Sequence, residues 1–295
     1  MSAKTPNELR DLVRGEVIVE GDADYESARA VNNGMIDKRP AVIVRVMNAG
    51  DVITTVNYAR DNGHSLSVRG GGHSGPGFGT NDGGVVIDFL RMRSVRVNPN
   101  GKTARAEGGA TWGDFNAATS AFGLATTGGI ISTTGIAGLT LGGGIGYLTR
   151  GHGLSLDNLV SADVVTADGK FHIASETENV DLFWAIRGGG GNFGVCTTLE
   201  YKLQPVKDVY WGPMFYEVSE AENILRFYRD YIKEAPEQMG AFPAFQIAPP
   251  LPFIPENRHG DMFAAIVACW SGDPAQGERQ FKAFHDVAEV KAEMV

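Results

Sequence analysis

The chain has 295 residues, a formal net charge of −9 at pH 7 and 39 glycines, roughly twice the usual share of glycine. With 43% hydrophobic residues it can form one large or two ordinary domains, which excludes collagen, low-complexity disorder and a disulfide-stapled miniprotein. The acidic balance and the lack of a long basic run argue against nucleic-acid binding.

Cysteine use and hydropathy suggest a cytoplasmic protein without a membrane span. Cys196 and Cys269 form no CxxC or metal-ligand pattern, so we expect two buried, reduced thiols and no metal site. Residues 1–17 carry charges throughout and lack the apolar segment of a secretory signal. Residues 115–149 are uncharged, but glycine breaks with interleaved Ser and Thr are unsuited to a lipid-facing helix. They predict a buried loop-and-strand region against a ligand.

Residues 1–205 alternate helical and strand patterns. In chain order the predicted elements are a helix over 5–13, a helix over 24–36, a strand over 41–46, a helix ending at Gly63, strands over 65–70 and 85–89, a hairpin over 94–109 turning at Asn98–Gly101, a helix from Thr111 capped with Asp114, a strand pair over 158–175, a helix over 179–189 and a strand over 195–203.

Beyond Pro205 the glycine clusters stop, and we place a domain boundary near residue 206. The predicted elements there are strands over 209–218 and 261–270, helices over 220–235 and 274–290, and a proline-rich loop over 243–255.

The glycines cluster in residues 69–79, 128–153 and 188–194, which indicates three loops whose backbone approaches something closely. Gly70, Gly72 and Gly75 match G-x-G-x-x-G after a strand. No helical pattern follows before residue 85, however, which argues against a nicotinamide-binding Rossmann site and so against a nicotinamide dehydrogenase. Successive glycine amides can still bind a pyrophosphate.

Within this first cluster, two explanations of His73 stay open on the residues alone: an imidazole bonded locally in a loop, or a functional histidine. The second cluster offers amides and hydroxyls to a polar planar ligand, or is a structural connector. The third could wrap the phosphate or base end of a cofactor. Ser74 lies in G-H-S-G-P, which lacks the last glycine of a nucleophile elbow, so a hydrolase is not supported.

Three segments together carry a family resemblance: RGGGHS at 69–74, GGIISTTGIAGLTLGGGIGYLTRGHGLSLDN at 128–158 and LFWAIRGGGGNFGV at 182–195. Their order and spacing resemble the FAD-binding oxidoreductases of the vanillyl-alcohol oxidase/p-cresol methylhydroxylase (PCMH-type) superfamily, and within it the berberine-bridge-enzyme-like group. The resemblance implies an α+β fold: a two-subdomain PCMH-type FAD-binding domain over 1–205, densest over 35–205, and a partial substrate-binding domain of antiparallel sheet and helices over 206–295.

The resemblance also implies roles for individual residues. His73 matches the histidine bonded covalently to the flavin, and Ile131 stands where many relatives have a second, cysteinyl link, so a single link is expected. The other residues implied to contact FAD are Arg69, Gly70, Gly71, Gly72, Ser74, Gly129, Thr133, Thr134, Gly135, Gly138, Leu139, Gly143 and Val195. Tyr147 and His152 are weak candidates for the catalytic base, because each is better explained as a structural or flavin-contact residue.

The implied activity is hydride transfer from a CH–OH or CH–NH carbon of a small molecule to FAD, with reoxidation by O2 to give H2O2. Members of the family usually continue well beyond this length, and the final residues show no helix stop signal. We therefore also consider a truncated, catalytically incomplete FAD-binding protein, with possible self-association through exposed strand edges.

Overall fold

The computed structural model describes residues 5–294, which divide into two compact units. The first contains residues 5–145 and 154–204, and the second contains residues 146–153 and 205–294. Each unit combines helices with antiparallel strand pairs, which confirms the predicted α+β class.

The first unit carries two sheets and most of the helices. Its helices are α1 (Pro6–Arg10), α2 (Tyr25–Arg29), α3 (Ala49–Asp61), α4 (Trp112–Ser120), α5 (Ile136–Leu141) and α7 (Val180–Gly189). The first sheet contains β1 (Glu16–Ile18), β2 (Val42–Arg45), β3 (Leu66–Arg69) and β4 (Val85–Asp88). The second contains β5 (Val95–Asn98), β6 (Thr103–Glu107), β8 (Leu159–Val165), β9 (Phe171–Ser175) and β10 (Val195–Lys202). The short β7 (Leu124–Ala125) lies between α4 and α5, and β11 (Gln204–Pro205) lies where the chain leaves this unit.

The first sheet has the order β1-β2-β4-β3, with β2, β4 and β3 parallel. Every residue of β4 is buried, as expected of a parallel strand covered on both faces. Helix α3 packs Val52 and Val56 into the same apolar cluster, and it begins where the Asn48 side chain accepts a hydrogen bond from the Asp51 amide at 3.0 Å. The parallel pairing of β3 with β4 therefore sets the direction in which the chain enters the first glycine loop at Arg69.

The second sheet, of order β5-β6-β10-β8-β9, is antiparallel between all the paired strands described. Its core includes Trp112, Phe115 and Tyr201, whose rings meet edge to face at centroid distances of 5.2 to 6.2 Å. The predicted cap of α4 is confirmed, because Thr111 and Asp114 exchange the two hydrogen bonds of a capping box.

Strand β9 is an edge strand whose outward polar groups are occupied locally. Asn179, in a left-handed conformation (φ 46°), donates from Nδ2 to the Ile173 carbonyl at 2.7 Å. The Ser175 amide donates to the Glu178 carbonyl at 2.8 Å. These bonds remove two of the groups with which another strand could pair.

The second unit is a sheet of order β13-β14-β12-β15 with helices against one face. Its strands are β12 (Tyr210–Glu217), β13 (Met239–Ile247), β14 (Met262–Trp270) and β15 (Ala292–Glu293), and its helices are α6 (Thr149–His152), α8 (Ala221–Glu234) and α9 (Gly277–Val287). Phe281 and Phe284 of α9 are fully buried against the sheet.

Three predicted elements differ from the structure. The helix expected over 24–36 ends at Arg29, because Asn32 and Asn33 instead hydrogen-bond the carbonyls of Gly72 and Gly75 in the first glycine loop. The loop-and-strand region expected over 115–149 contains helix α5, whose buried Ile136 and Thr140 lie four residues apart on one face.

The third difference is that the loop expected from residue 243 is strand as far as Ile247. Pro243 lies within β13 and pairs with Ile266. A proline lacks the amide that a central strand needs, but β13 is an edge strand in the described sheet, where this amide is dispensable.

Candidate functional site

The first glycine loop begins at Arg69, the last residue of β3, whose side chain is buried. Its guanidinium bonds Asp88 of β4 at 2.7 Å, the Ala30 carbonyl at 3.2 Å and the Ala28 carbonyl. The structure therefore commits the charge of Arg69 to this ion pair and to the α2 segment. Asp88 was not predicted from the sequence as the partner of Arg69. The one available signal was that an acidic residue ends the apolar strand β4.

The loop then crosses the second glycine cluster with backbone against backbone. A Cβ atom on Gly71 would lie 2.3 Å from the amide nitrogen of Gly135, and a Cβ on Gly135 would lie 2.3 Å from that of Gly71. Real Cβ contacts essentially never come so close, so both positions need glycine. Gly70 is similarly confined, because a Cβ atom added there would lie 2.9 Å from the Gly108 carbonyl oxygen.

This crossing brings His73 between two threonines of the second cluster. His73 Nε2 lies 3.0 Å from Thr133 Oγ1, and His73 Nδ1 lies 3.3 Å from Thr134 Oγ1. The imidazole is partly exposed. The structure thus joins three residues predicted for the site that are about sixty positions apart in sequence.

Ser74 has a local role in the loop. Its Oγ accepts a hydrogen bond from the Phe78 amide at 3.0 Å, and its carbonyl accepts one from the Gly77 amide at 3.0 Å. Gly72, with φ of 73°, adopts a left-handed conformation that favours glycine just before His73.

The second cluster presents an open surface beyond the crossing. Ile131, at the position predicted from the sequence for a cysteinyl link, has 53% of its surface exposed. Gly138 has no neighbouring atom within 4 Å of where its Cβ would stand. Gly129, in contrast, is in contact with the Leu139 side chain. Gly143 has a φ of 126°, in the region that favours glycine. The exposed residues 130–133 and Gly138 leave room for a ligand on this surface.

Two hydroxyls near this surface were missed by the sequence reasoning. Thr126 Oγ1 and Thr127 Oγ1 are buried and have no hydrogen-bond partner in the described chain. The Thr127 carbonyl accepts from Ser155 Oγ, and the Ser155 amide bonds the Gly144 carbonyl, which ties these threonines to the second cluster. Buried polar groups without a partner are costly, so they point to an additional ligand. The Thr-Thr-Gly-Gly run at 126–129 is the one sequence signal that could have drawn attention to them.

The third glycine cluster lies against α5 and so adjoins the second. Gly188, Gly190 and Gly191 have open space where a Cβ would stand. Val195, in contrast, is buried in the core of the first unit, so its side chain packs there and only its backbone is left for a ligand.

The two candidate bases lie in the second unit. The Tyr147 ring stacks on Phe242 with centroids 6.0 Å apart and meets Trp211 edge to face at 6.4 Å. Burial raises the pKa of the Tyr147 phenol despite the nearby Trp211 indole, which favours a neutral hydroxyl over a base. His152 is the last residue of α6, and its amide bonds the Leu148 carbonyl at 2.9 Å.

Neither a metal-ligand cluster nor a membrane-spanning helix is found in residues 5–294. No cluster of three or more His, Cys, Asp or Glu side chains is placed to hold a metal ion. No helix in this range has the length and apolarity to cross a membrane. Cys196 and Cys269 are both free and buried, as predicted.

The residues of the first unit fit an FAD cofactor. At the crossing of the two glycine loops there is no space for side chains at Gly71 and Gly135. Glycines with open space beside their backbone lie in the same clusters, and two buried threonine hydroxyls lack hydrogen-bond partners in the described chain. Such donors and close backbone suit a dinucleotide and a polar planar ring.

Comparisons with known proteins point to the same cofactor. A family described as an FAD binding domain matches residues 40–175. (R)-6-hydroxynicotine oxidase of Paenarthrobacter nicotinovorans is 38% identical over 240 residues, which is 79% of this chain and 51% of that protein. The chain spans about half the length of the curated relatives it matches.

Solved structures give the same result. The crystal structure of 6-hydroxy-D-nicotine oxidase from Arthrobacter nicotinovorans superposes with a TM-score of 0.82 at 34% identity, covering 96% of this chain and 60% of that one. Glucooligosaccharide oxidase from Acremonium strictum, described with a 6-S-cysteinyl, 8α-N1-histidyl FAD, gives a TM-score of 0.82 at 26% identity, covering 99% and 61%. The chain therefore contains an FAD-binding domain similar to that of the PCMH-type FAD-binding oxidoreductases.

Proposed function

We propose that the first unit binds FAD covalently through His73 and serves an oxidase that acts on a small molecule. The observation that carries the proposal is the position of His73, at the crossing of the two glycine loops and between two hydroxyls. A neutral imidazole nitrogen is a competent nucleophile toward an electrophilic carbon. The histidyl FAD named for glucooligosaccharide oxidase supports this assignment.

We propose a single covalent link. Ile131 occupies the position predicted for a cysteinyl link, and a hydrocarbon side chain cannot form a thioether. Cys196 and Cys269 are buried elsewhere, and burial raises the pKa of each thiol to about 12, so neither is a thiolate near neutral pH. A protein with one link keeps the other edge of the flavin free of covalent attachment.

In this proposal FAD supplies the hydride acceptor, and O2 regenerates it with formation of H2O2. The glycine amides at 70–72 hold the pyrophosphate, and the backbone around Thr133–Leu139 lines the flavin. The substrate-binding role falls to the second domain, from residue 206 onward. The substrate carbon bears OH or NH, since the related proteins are named for hydroxynicotine and glucooligosaccharide. Free buried thiols favour a cytoplasmic location.

An FAD-binding protein without turnover is the second candidate, and one observation favours it. Tyr147, one of the two candidate bases, has a pKa raised by burial, so it is a neutral phenol near neutral pH and a poor proton acceptor. The base of a working oxidase would then have to come from another group.

Two measurements on the purified protein decide between these functions. Acid precipitation of the flavin-loaded chain should leave the yellow colour in the pellet, and a colourless pellet contradicts covalent attachment. Anaerobic addition of 6-hydroxynicotine or of an oligosaccharide should bleach the flavin if the chain is a working oxidase. Covalent flavin that no such compound bleaches supports the second candidate.

A further inference from the structure

The two hydroxyls beside His73 act on its two ring nitrogens separately. Nε2 lies 3.0 Å from Thr133 Oγ1 and Nδ1 lies 3.3 Å from Thr134 Oγ1. A neutral imidazole has one N–H and one lone pair, so one hydroxyl accepts a hydrogen bond from the ring and the other donates one to it. The position of the imidazole proton is therefore coupled to the hydrogen bonds of these two threonines.

We propose that Thr133 is the positioning residue that keeps the imidazole proton on Nε2 and leaves the lone pair of Nδ1 to form the bond to flavin. This inference rests on the proposed covalent attachment. Thr133 makes the shorter of the two contacts, so its hydroxyl is the one that stays bonded to the ring when a carbon atom approaches the other nitrogen. The longer contact, at Nδ1, is the one that an incoming carbon atom displaces more easily.

Both threonines are held by backbone contacts that do not involve their hydroxyls. The Thr134 amide donates to the Ile131 carbonyl at 3.1 Å, and the Thr134 carbonyl accepts from the Trp112 amide at 3.0 Å. The Thr133 carbonyl oxygen lies 3.0 Å from where a Cβ of Gly71 would stand, so the loop crossing fixes its position. The two short threonine side chains thus present their hydroxyls to His73 from backbone that is held in place, which is how a positioning group is made precise.

A hydroxyl suits the change that Nε2 undergoes in the reaction. Before attachment Nε2–H donates to Thr133, and afterwards Nε2 has a lone pair to which the same hydroxyl can donate by rotating. In the balanced step, the flavin 8α-methyl carbon loses a proton, Nδ1 bonds to that carbon, and Nε2 releases its proton to solvent through Thr133. Two electrons remain on the flavin and pass with two protons to dioxygen, which becomes H2O2.

The test compares Thr133→Val, which keeps the side-chain volume and removes the hydroxyl, with Thr133→Ser and Thr134→Val. Each protein is expressed under riboflavin limitation and then mixed with FAD in air. Covalent flavin is followed over time by its fluorescence in a denaturing gel, and bound but unattached FAD by ultrafiltration. The linked nitrogen is identified by NMR of the flavin peptide released by proteolysis.

We expect Thr133→Val to bind FAD but to attach it about tenfold more slowly, the effect of one lost hydrogen bond in the attacking state. We also expect it to give a mixture of Nδ1-linked and Nε2-linked products, which a merely structural defect would not produce. Thr133→Ser should restore both the rate and the single product, and Thr134→Val should still give the single Nδ1-linked product, whatever its rate.

Two results would overturn this assignment: attachment by Thr133→Val at the parental rate with a single Nδ1 product, or the same mixture of linked products from Thr134→Val. If Thr133→Val does not fold, Thr133→Ala decides, because this variant also lacks the hydroxyl and its attachment of flavin at the parental rate with a single Nδ1 product would exclude a role for it. A parent chain that binds FAD without any covalent flavin would instead contradict the proposed function itself.

Discussion

Replacing Gly71 by alanine should separate the two glycine loops and release His73 from its threonine partners. The added Cβ would stand 2.3 Å from the amide nitrogen and 2.7 Å from the Cα of Gly135. Ordinary contact between such atoms is about 3.5 Å, so one backbone must retreat by about 1 Å. A retreat of this size stretches the 3.0 Å contact between His73 and Thr133 beyond hydrogen-bonding range.

The cost follows from the rigidity of both segments. Overpacking a close contact costs about 1 to 3 kcal/mol when side chains can adjust, and here the opposing atoms are backbone. Loss of a hydrogen bond at His73 adds about 1 kcal/mol. We therefore expect the free energy of unfolding to fall by about 3 kcal/mol.

Gly75 in the same loop provides the matched control, because no atom lies within 4 Å of where its Cβ would stand. Gly75→Ala should change the free energy of unfolding by less than about 0.5 kcal/mol. Urea unfolding followed by circular dichroism measures both variants, and acid-stable flavin colour reports the state of the site. Equal stability of Gly71→Ala and Gly75→Ala, with equal flavin retention, would refute the proposed loop crossing.

Three further predictions concern the scaffold. Asp88→Ala leaves Arg69 buried without its partner and should lower the free energy of unfolding by about 3 to 5 kcal/mol in urea titrations; an unchanged midpoint would contradict this. Asn179→Gly keeps the left-handed backbone but frees the Ile173 carbonyl, so light scattering should show faster aggregation than in the parent chain. Since burial raises the pKa of the Cys196 thiol to about 12, iodoacetamide at pH 8 should alkylate it only after unfolding, as mass spectrometry can show.

Local patterns in the sequence predicted local structure well. The Thr111–Asp114 cap is confirmed because both partners lie within one helical turn. The hairpin between β5 and β6 is confirmed for a similar reason, since its turn residues are contiguous. The absence of a Rossmann helix after Gly75 is also confirmed, because the described chain runs through turns until β4 begins at Val85.

Features that depend on tertiary contacts were not predictable in this way. Helix α2 is short because Asn32 and Asn33 bond a loop some forty residues later in the chain. Pro243 is compatible with a strand only because that strand lies at an edge, which no local pattern reveals. Likewise, the sequence placed Arg69 among the residues that contact FAD, but no local pattern reveals that Asp88 on the adjacent parallel strand sets the direction of its guanidinium group.

The excursion of residues 146–153 into the second unit constrains how the chain can be divided. Because the chain enters that unit twice, no single cut separates the two units. A variant ended at residue 204 would leave the Tyr147 ring without Phe242 and Trp211, and the Arg150 guanidinium without the carbonyls of Ala235, Pro236 and Met239. Proteolytic cleavage near residue 205 should consequently yield two fragments that co-purify until they are denatured. To express the flavin-binding unit alone, one must either keep both segments of the second unit or replace residues 146–153.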